Sequence, residues 1–236
     1  MNRNAATFAL IVLSVLIFLP TVFSSNVVLA QSSNYSIQSV EHNIEVLFSG
    51  HVVIRDEIKV SGSLTNGFLI GFPSAFSNSV LEVVAYDNDQ AFLVDTGVSF
   101  GQSGFYGARV NFNGSNPSSF TVVFVLSNSL ITQDAGYYLL QYPAYPSFAV
   151  NAGSCSVTLS LPAEPDVISI SKSDGTINST AYSKTNLAAY TNIEAKAAFG
   201  ITYGLLQLNT ISNLERIVTI DPAGSITCAD SYQIRN

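Results

Sequence analysis

From Ser36 to the end of this 236-residue chain, short runs of Val, Ile, Phe, Tyr and Thr recur roughly every eight to fifteen residues, parted by clusters of Gly, Pro, Asn, Ser and Asp. Inside the runs the apolar side chains fall at every other place. That spacing suits a strand with one face in a core, because successive strand side chains point to opposite faces. Strands are predicted over Val40 to Phe48, Val52 to Val60, Gly67 to Phe72, Val80 to Tyr86, Ala91 to Asp95, Ala108 to Phe112, Phe120 to Leu126 and Tyr137 to Tyr142. Further runs cover Cys155 to Leu161, Ile193 to Ile201, Leu205 to Leu208, Ile217 to Ile220 and Ser225 to Ile234. The Ala-rich stretch Asn186 to Phe199 alternates as well as it spirals, and it is the one place after residue 31 where a short helix competes.

Composition narrows the partners. Only 11% of residues are charged and 47% are hydrophobic, with 15 Phe and 11 Tyr, which excludes a disordered chain and a coiled coil. A net charge of −7 cannot neutralise a run of phosphates, so nucleic acid is not an expected partner.

At the amino terminus Ala5 to Phe23 is an apolar run preceded by Arg3, which reads as a targeting segment. Val28-Leu29-Ala30 before Gln31 fits signal-peptidase cleavage, giving an exported mature chain from Gln31. An uncleaved anchor is the alternative, because the run approaches the length that crosses a bilayer.

One internal similarity divides the chain. Gly50-His51-Val52-Val53-Ile54-Arg55-Asp56-Glu57-Ile58-Lys59-Val60 lies without a gap over Gly224-Ser225-Ile226-Thr227-Cys228-Ala229-Asp230-Ser231-Tyr232-Gln233-Ile234, with Gly on Gly, Asp on Asp and apolar on apolar at alternate positions. Each block follows an extended segment, so each reads as a hairpin reversing at its glycine. The expected class is therefore all-β. Residues 1–30 form a signal peptide or signal anchor helix, 31–212 an antiparallel β-sandwich, and 213–236 the first hairpin of a second, incomplete β domain. A lone hairpin is marginal in water, so this last piece is expected to pack on the first domain or to belong to a longer parent, and the second is favoured.

Residues able to do chemistry are sparse. No nucleophile elbow, zincin helix or Walker loop occurs, so no catalytic, cofactor or metal residues are assigned. His42 and His51 flank the first predicted reversal and are expected at solvent-exposed strand positions. Asp87-Asn88-Asp89 offers three oxygen donors to a hard cation but lacks the rest of an EF-hand loop. Cys155 and Cys228 are the only cysteines, and an exported chain permits a bridge between them; two separate thiols fit the sequence equally well. Asn34, Asn113 and Asn178 open N-glycosylation acceptor patterns, which in a chain this rich in Asn, Ser and Thr agree with export without establishing it.

The most unusual composition is Tyr137 to Ser147, where Tyr137, Tyr138, Tyr142 and Tyr145 accompany Pro143 and Pro146. Proline cannot extend a sheet ladder, so Tyr142 to Ser147 must leave the sheet or run along its edge. The tyrosines either cover one end of the core or present an aromatic surface to a glycan or a protein partner.

Three stretches together resemble the amino-terminal luminal region of the ribophorin I family, a non-catalytic subunit of the oligosaccharyltransferase complex. Tyr137 to Ser147 is similar to the family's aromatic strand running into a Tyr-Pro step. Cys155-Ser156-Val157-Thr158-Leu159-Ser160-Leu161-Pro162, with Val167 to Ser171, is similar to the strand and short return that come next. Leu214-Glu215-Arg216-Ile217-Val218-Thr219-Ile220, Gly224-Ser225-Ile226 and Asp230 to Asn236 resemble the Arg-led strand, glycine turn and answering strand that open the family's second luminal domain. Ala223 stands where the family usually has Trp, and the chain has no Trp.

The resemblance implies a structural, non-enzymatic role in protein N-glycosylation, without a cofactor, beside other membrane subunits of a glycosyltransferase complex. It places the chain on the extracytoplasmic face of a membrane, the endoplasmic reticulum lumen or an archaeal cell exterior. The competing expectation is an exported adhesion or surface-layer protein that binds glycan or a protein partner.

Overall fold

A computed structural model describes residues 34–235, apart from 66, 135, 164, 178, 202 and 203. The targeting segment and its cleavage site, and the acceptor Asn178, lie outside the described residues. What is described is mostly β.

The strands are β1 (Tyr35–Val46), β2 (Val52–Gly62), β3 (Phe68–Pro73), β4 (Val80–Tyr86), β5 (Ala91–Val98), β6 (Phe105–Asn111), β7 (Ser119–Leu126), β8 (Ile131–Asp134) and β9 (Tyr137–Pro143). They continue as β10 (Ser147–Phe148), β11 (Ala152–Ser160), β12 (Pro165–Lys172), β13 (Gly175–Ile177), β14 (Ala181–Leu187), β15 (Glu194–Ile201), β16 (Thr210–Ile220) and β17 (Ile226–Arg235). Ten of them form one sheet in the order β10-β3-β6-β5-β4-β7-β2-β1-β11-β14. A five-stranded sheet runs β13-β12-β15-β9-β8, and β16-β17 stands as a two-stranded sheet. Pairing is antiparallel except between β1 and β11, which run parallel.

Both larger sheets feed one buried cluster, from Val40, Ile44, Ile54 and Ile58 to Leu140, Ala197 and Phe199. Aromatic rings carry much of it. Phe92 meets Phe112 edge-on at 4.9 Å between ring centres, Phe112 meets Phe120 at 5.0 Å, and Phe120 meets Phe68 at 5.0 Å. Edge-to-face pairs of this kind add roughly 0.5–1.5 kcal/mol each beyond the area they bury. Gly71 and Gly107 face each other across β3 and β6, and a Cβ on Gly71 would strike the Tyr106 carbonyl oxygen. Glycine at this point lets the two backbones and the Phe100 ring close up.

Several boundaries differ from the sequence reading. The Ala-rich stretch forms strand β15, whose Ala195, Ala197 and Phe199 face inward. Leu205 to Leu208 is not a strand. This connector is tied down instead by hydrogen bonds from Leu206 N to the Tyr138 hydroxyl (3.1 Å) and from Gln207 N to the Phe48 carbonyl (2.8 Å).

The hairpin β16–β17 repeats β1–β2 residue by residue. Adding 174 to a position in the first gives its counterpart in the second, so Ile44 opposite Ile54 becomes Val218 opposite Cys228, and Val46 opposite Val52 becomes Ile220 opposite Ile226. The register slips at the same place in both, between Ile37 and Ser39 and between Ile211 and Asn213. The turns match too. Leu47 N bonds the His51 carbonyl and Gly50 N the Leu47 carbonyl, as Asp221 N bonds Ser225 and Gly224 N bonds Asp221. Gly50 and Gly224 sit at φ of 77° and 85°, a left-handed conformation that glycine adopts without a Cβ penalty. In burial the two part company: the inner face of β1–β2 is core, whereas every described residue of β16–β17 is exposed.

Candidate functional site

Along β1 the inward positions are Val40, His42, Ile44 and Val46, and along β2 they are Val52, Ile54, Asp56, Ile58 and Val60. Two ionisable side chains thus occupy places the strand period reserves for apolar ones. Register sets His42 directly opposite Asp56. Their side chains meet at 2.6 Å, Nδ1 to Oδ1, with His42 1% and Asp56 0% exposed. The other ring nitrogen, Nε2, faces the main-chain carbonyl of Pro143 at 3.3 Å. A carbonyl can only accept, so Nε2 carries a proton and donates it, while the proton of the short contact is shared by imidazole and carboxyl. His42 is therefore buried, and the expectation that it lies exposed is corrected. His51 sits in the turn, half-buried, with Nδ1 2.9 Å from the Ser49 hydroxyl.

The Pro143 carbonyl belongs to the Tyr-Pro segment. Pro143 ends β9, and the chain leaves the five-stranded sheet to return as β10 at the edge of the large one. Two more side chains fasten the same four residues. The Tyr182 hydroxyl donates to the Ala144 carbonyl at 3.0 Å, and Lys172 Nζ donates to the Tyr145 hydroxyl at 2.9 Å. Lys172 also pairs with Asp174 at 3.0 Å, and Asp174 takes Lys184 at 2.8 Å. The Lys172 ammonium lies 5.2 Å from the centre of the Tyr145 ring and 4.9 Å from that of Tyr182, within cation–π range. A polar seam thus runs from the partly exposed Lys184 and Asp174 inward to the His42–Asp56 pair.

Electrostatics hold these groups in fixed protonation states. Burial lowers the Lys172 ammonium, but its bonds to Tyr145 and Asp174 outweigh that and leave it raised. Burial alone would raise the Asp174 carboxyl; bonds from Lys184 and Lys172 bring it below its ordinary value. The Tyr142 phenol is pushed up to about 12, chiefly by burial, and burial also raises Tyr182, with Tyr142 adding to it. Tyr142 lies electrostatically against Tyr182, yet no hydrogen bond of good geometry reaches its hydroxyl, and Asp56 Oδ2 likewise has no partner. Cys155, fully buried on β11, has its thiol raised by burial and by the charge of Asp56.

These shifts give the seam an alkaline limit. A phenol with a raised native pKa binds its proton more tightly folded than unfolded, so its contribution is complete below pH 10 and is lost as pH climbs. Tyr142 alone is expected to remove about 2–3 kcal/mol between roughly pH 10 and 12. Phenolate absorbance near 295 nm and near-ultraviolet circular dichroism should change together in that window. Titration of all tyrosines near pH 10 with the fold intact would contradict it.

The sequence candidates fare unequally. Tyr138, Tyr142 and Tyr145 are 2%, 0% and 1% exposed, so they form no aromatic surface; only Tyr137, 51% exposed, faces solvent. The reading in which the tyrosines close one end of the core describes those three. Asp87 spends its carboxylate on its own turn, accepting from Asp89 N and Gln90 N at 2.9 Å each. Among the described residues no group of three or more His, Cys, Asp or Glu is arranged to hold a metal. Asn113 lies exposed in a turn at φ of 51°, and Asn34 is exposed just before β1.

Cys155 and Cys228 are both free thiols, one buried and one exposed, and the structure does not bring them together. Iodoacetamide at about pH 8 is expected to modify Cys228 in the native protein and Cys155 only after unfolding in urea, read by peptide mass spectrometry. Equal labelling of both in the folded state would refute the buried position.

Chemically, a histidine bonded through Nδ1 to an aspartate is two-thirds of a nucleophile-activating triad. In such a triad Nε2 takes a proton from a hydroxyl or thiol. Here Nε2 gives one to a backbone carbonyl, so the pair fastens main chain.

No family model matches the chain, and no curated protein matches it. Among solved structures it is similar to yeast LTA4 hydrolase in complex with bestatin, at 14% identity and a TM-score of 0.40, over 78% of this chain and 29% of that one. Native leukotriene A4 hydrolase from Saccharomyces cerevisiae matches at 12% identity and a TM-score of 0.41, over 80% and 30%. The chain spans less than a third of the length of these proteins. At such scores the likeness carries no conclusion about this chain.

Among the described residues no helix is long and apolar enough to cross a membrane. The sequence reading missed His42, Asp56 and Lys172 as partners of the Tyr-Pro segment. A signal was present for the first two, because each sits in phase with the buried residues of its strand.

Proposed function

We propose that this chain is a non-catalytic structural subunit of an oligosaccharyltransferase-like assembly for protein N-glycosylation, held on the extracytoplasmic face of a membrane beside other membrane subunits. Its first 30 residues serve for export or anchoring. Residues 31–212 form a β-sandwich in which the ten-stranded and five-stranded sheets are the two layers, and 213–236 open a second β domain on the same plan. The observation that carries the reading is the use made of the buried polar groups: His42, Tyr182 and Lys172 each spend a hydrogen bond on holding Pro143, Ala144 and Tyr145 in place. Scaffolding needs a stiff body of this kind, and the three stretches that resemble the ribophorin I family, the Tyr-Pro segment among them, supply the choice of assembly.

Affinity isolation of the tagged chain from native membranes in mild detergent tests it. The expected companion is a polytopic membrane subunit with oligosaccharyl transfer activity, and the isolated chain alone should have none. Recovery of the chain by itself, or bound to cell-wall glycan, would replace the scaffold with the surface-adhesion alternative.

A further inference from the structure

The face of β16–β17 equivalent to the buried face of β1–β2 carries Ile211 and Ile234, Leu214 and Tyr232, Val218 and Cys228, and Ile220 and Ile226 as cross-strand pairs. At its centre, where the first hairpin has His42 and Asp56, stand Arg216 and Asp230. Arg216 Nε and Nη2 bond the two carboxylate oxygens at 2.7 and 2.8 Å. The opposite face is the polar one, with Asn213 against Gln233, Glu215 against Ser231 and Thr219 against Thr227. A solvent-facing hairpin has no reason to gather its Ile, Leu, Val and Tyr on the face that its twin buries. The exposed apolar row is built as a core face.

The twin also shows what such a face receives. On β1–β2 the central pair meets a main-chain carbonyl, from Pro143, at the point where the chain leaves its sheet. Arg216 keeps three of its five N–H donors after pairing with Asp230, so it too can donate to an incoming oxygen. A carbonyl aimed at a sheet face comes only from a segment departing from regular pairing, because carbonyls within a ladder lie in the plane of their own sheet. A second copy of this hairpin has all its carbonyls in that plane and therefore fits poorly.

We propose that the apolar face of β16–β17 is a docking face for a partner protein's extended, tyrosine-bearing segment that ends in a proline step and lays its backbone carbonyl on Arg216. The partner completes the second unit in trans, as Tyr137 to Phe148 complete the first within the chain. This rests on the reading that 213–236 open a second unit on the plan of the first.

The test is a titration of the full 15N-labelled chain with a synthetic peptide of the sequence Tyr137 to Phe148, extended by two lysines for solubility. Saturable shifts are expected in the amides of 211–235 and in Arg216 Nε. A scrambled peptide, and the chain variant Leu214→Asp, should each bind at least roughly tenfold more weakly. Cross-strand contacts in the free chain check the underlying reading separately: loss of the Arg216–Asp230 register overturns the duplication, whatever the peptide does. With the register intact, silence up to about 1 mM peptide overturns the docking proposal. So do equal binding of the scrambled peptide, shifts confined to β1–β2, and concentration-dependent shifts of 211–235 in the chain alone, which would mean that a second copy covers the face.

Discussion

Replacing His42 with alanine is expected to destabilise the protein by about 3–5 kcal/mol, because it leaves the Asp56 carboxylate buried without its counter-ion. In a domain of this size that lowers the melting temperature by about 10 °C or more. Asp56→Ala should cost less, about 1–3 kcal/mol, since an imidazole can shed its extra proton and leave one unpaired nitrogen in place of a buried charge. The double variant His42→Leu with Asp56→Val separates pairing from packing. Apolar replacements of similar size for both partners of a buried pair are often neutral or stabilising by about 1–4 kcal/mol. Most of the lost stability should therefore return.

What does not return is the anchor on Pro143, so backbone hydrogen exchange over 142–147 should stay faster than in the parent while stability is regained. Urea denaturation and exchange mass spectrometry on the four proteins decide it. Additive losses in the double variant would show that the two side chains do not act as a pair.

Why a pair and not an apolar core? The Tyr-Pro segment supplies a reason from its own chemistry. Pro143 ends the ladder of β9, and the residues after it cross toward the other sheet with carbonyls that no strand can satisfy. Leaving such a carbonyl buried and unpaired costs about as much as a lost hydrogen bond. His42 and Tyr182, both on inward phases of the large sheet, reach two of those carbonyls in succession, Pro143 and Ala144. The segment is therefore held by side chains where it cannot be held by a ladder.

The strand period made the mostly β class legible, and most strand centres fell where alternating residues placed them. His42 and Asp56 were legible in principle. They stand at even positions among Val40, Ile44 and Val46, and among Ile54 and Ile58, so the phase that marks a core residue marks them too. Charge argued for solvent, and the cost of burying it was weighed without the partner across the strand. The parallel pairing of β1 with β11 could not be read locally, since it joins residues more than a hundred apart and depends on which edges remain after the hairpins form. Lys172 was hidden for a similar reason: β12 contributes it from the other sheet, and only the approach of the two sheets brings it to Tyr145. The gapless overlay of Gly50 to Val60 on Gly224 to Ile234, by contrast, foretold a shared register, a shared bulge and a shared turn, because a hairpin is set by neighbours close in sequence.

Duplication makes a paired prediction with opposite outcomes. Ile44 and Val218 hold the same place in the two hairpins, yet Ile44 is 0% exposed and Val218 56%. Ile44→Ser removes most of a buried aliphatic side chain and leaves a hydroxyl without a certain partner, for an expected loss of about 3–5 kcal/mol. Val218→Ser in the isolated chain should stay within about 0.5 kcal/mol, as surface substitutions do. Thermal melts of the two variants beside the parent provide the measurement, and a large loss for Val218→Ser would mean that something in the chain alone already covers that face. The asymmetry is a property of what lies on each hairpin, since register, turn and bulge are the same. Once a partner segment occupies the second face, Val218 acquires the surroundings of Ile44, and Val218→Ser should begin to cost binding free energy of the same kind that Ile44→Ser costs in folding.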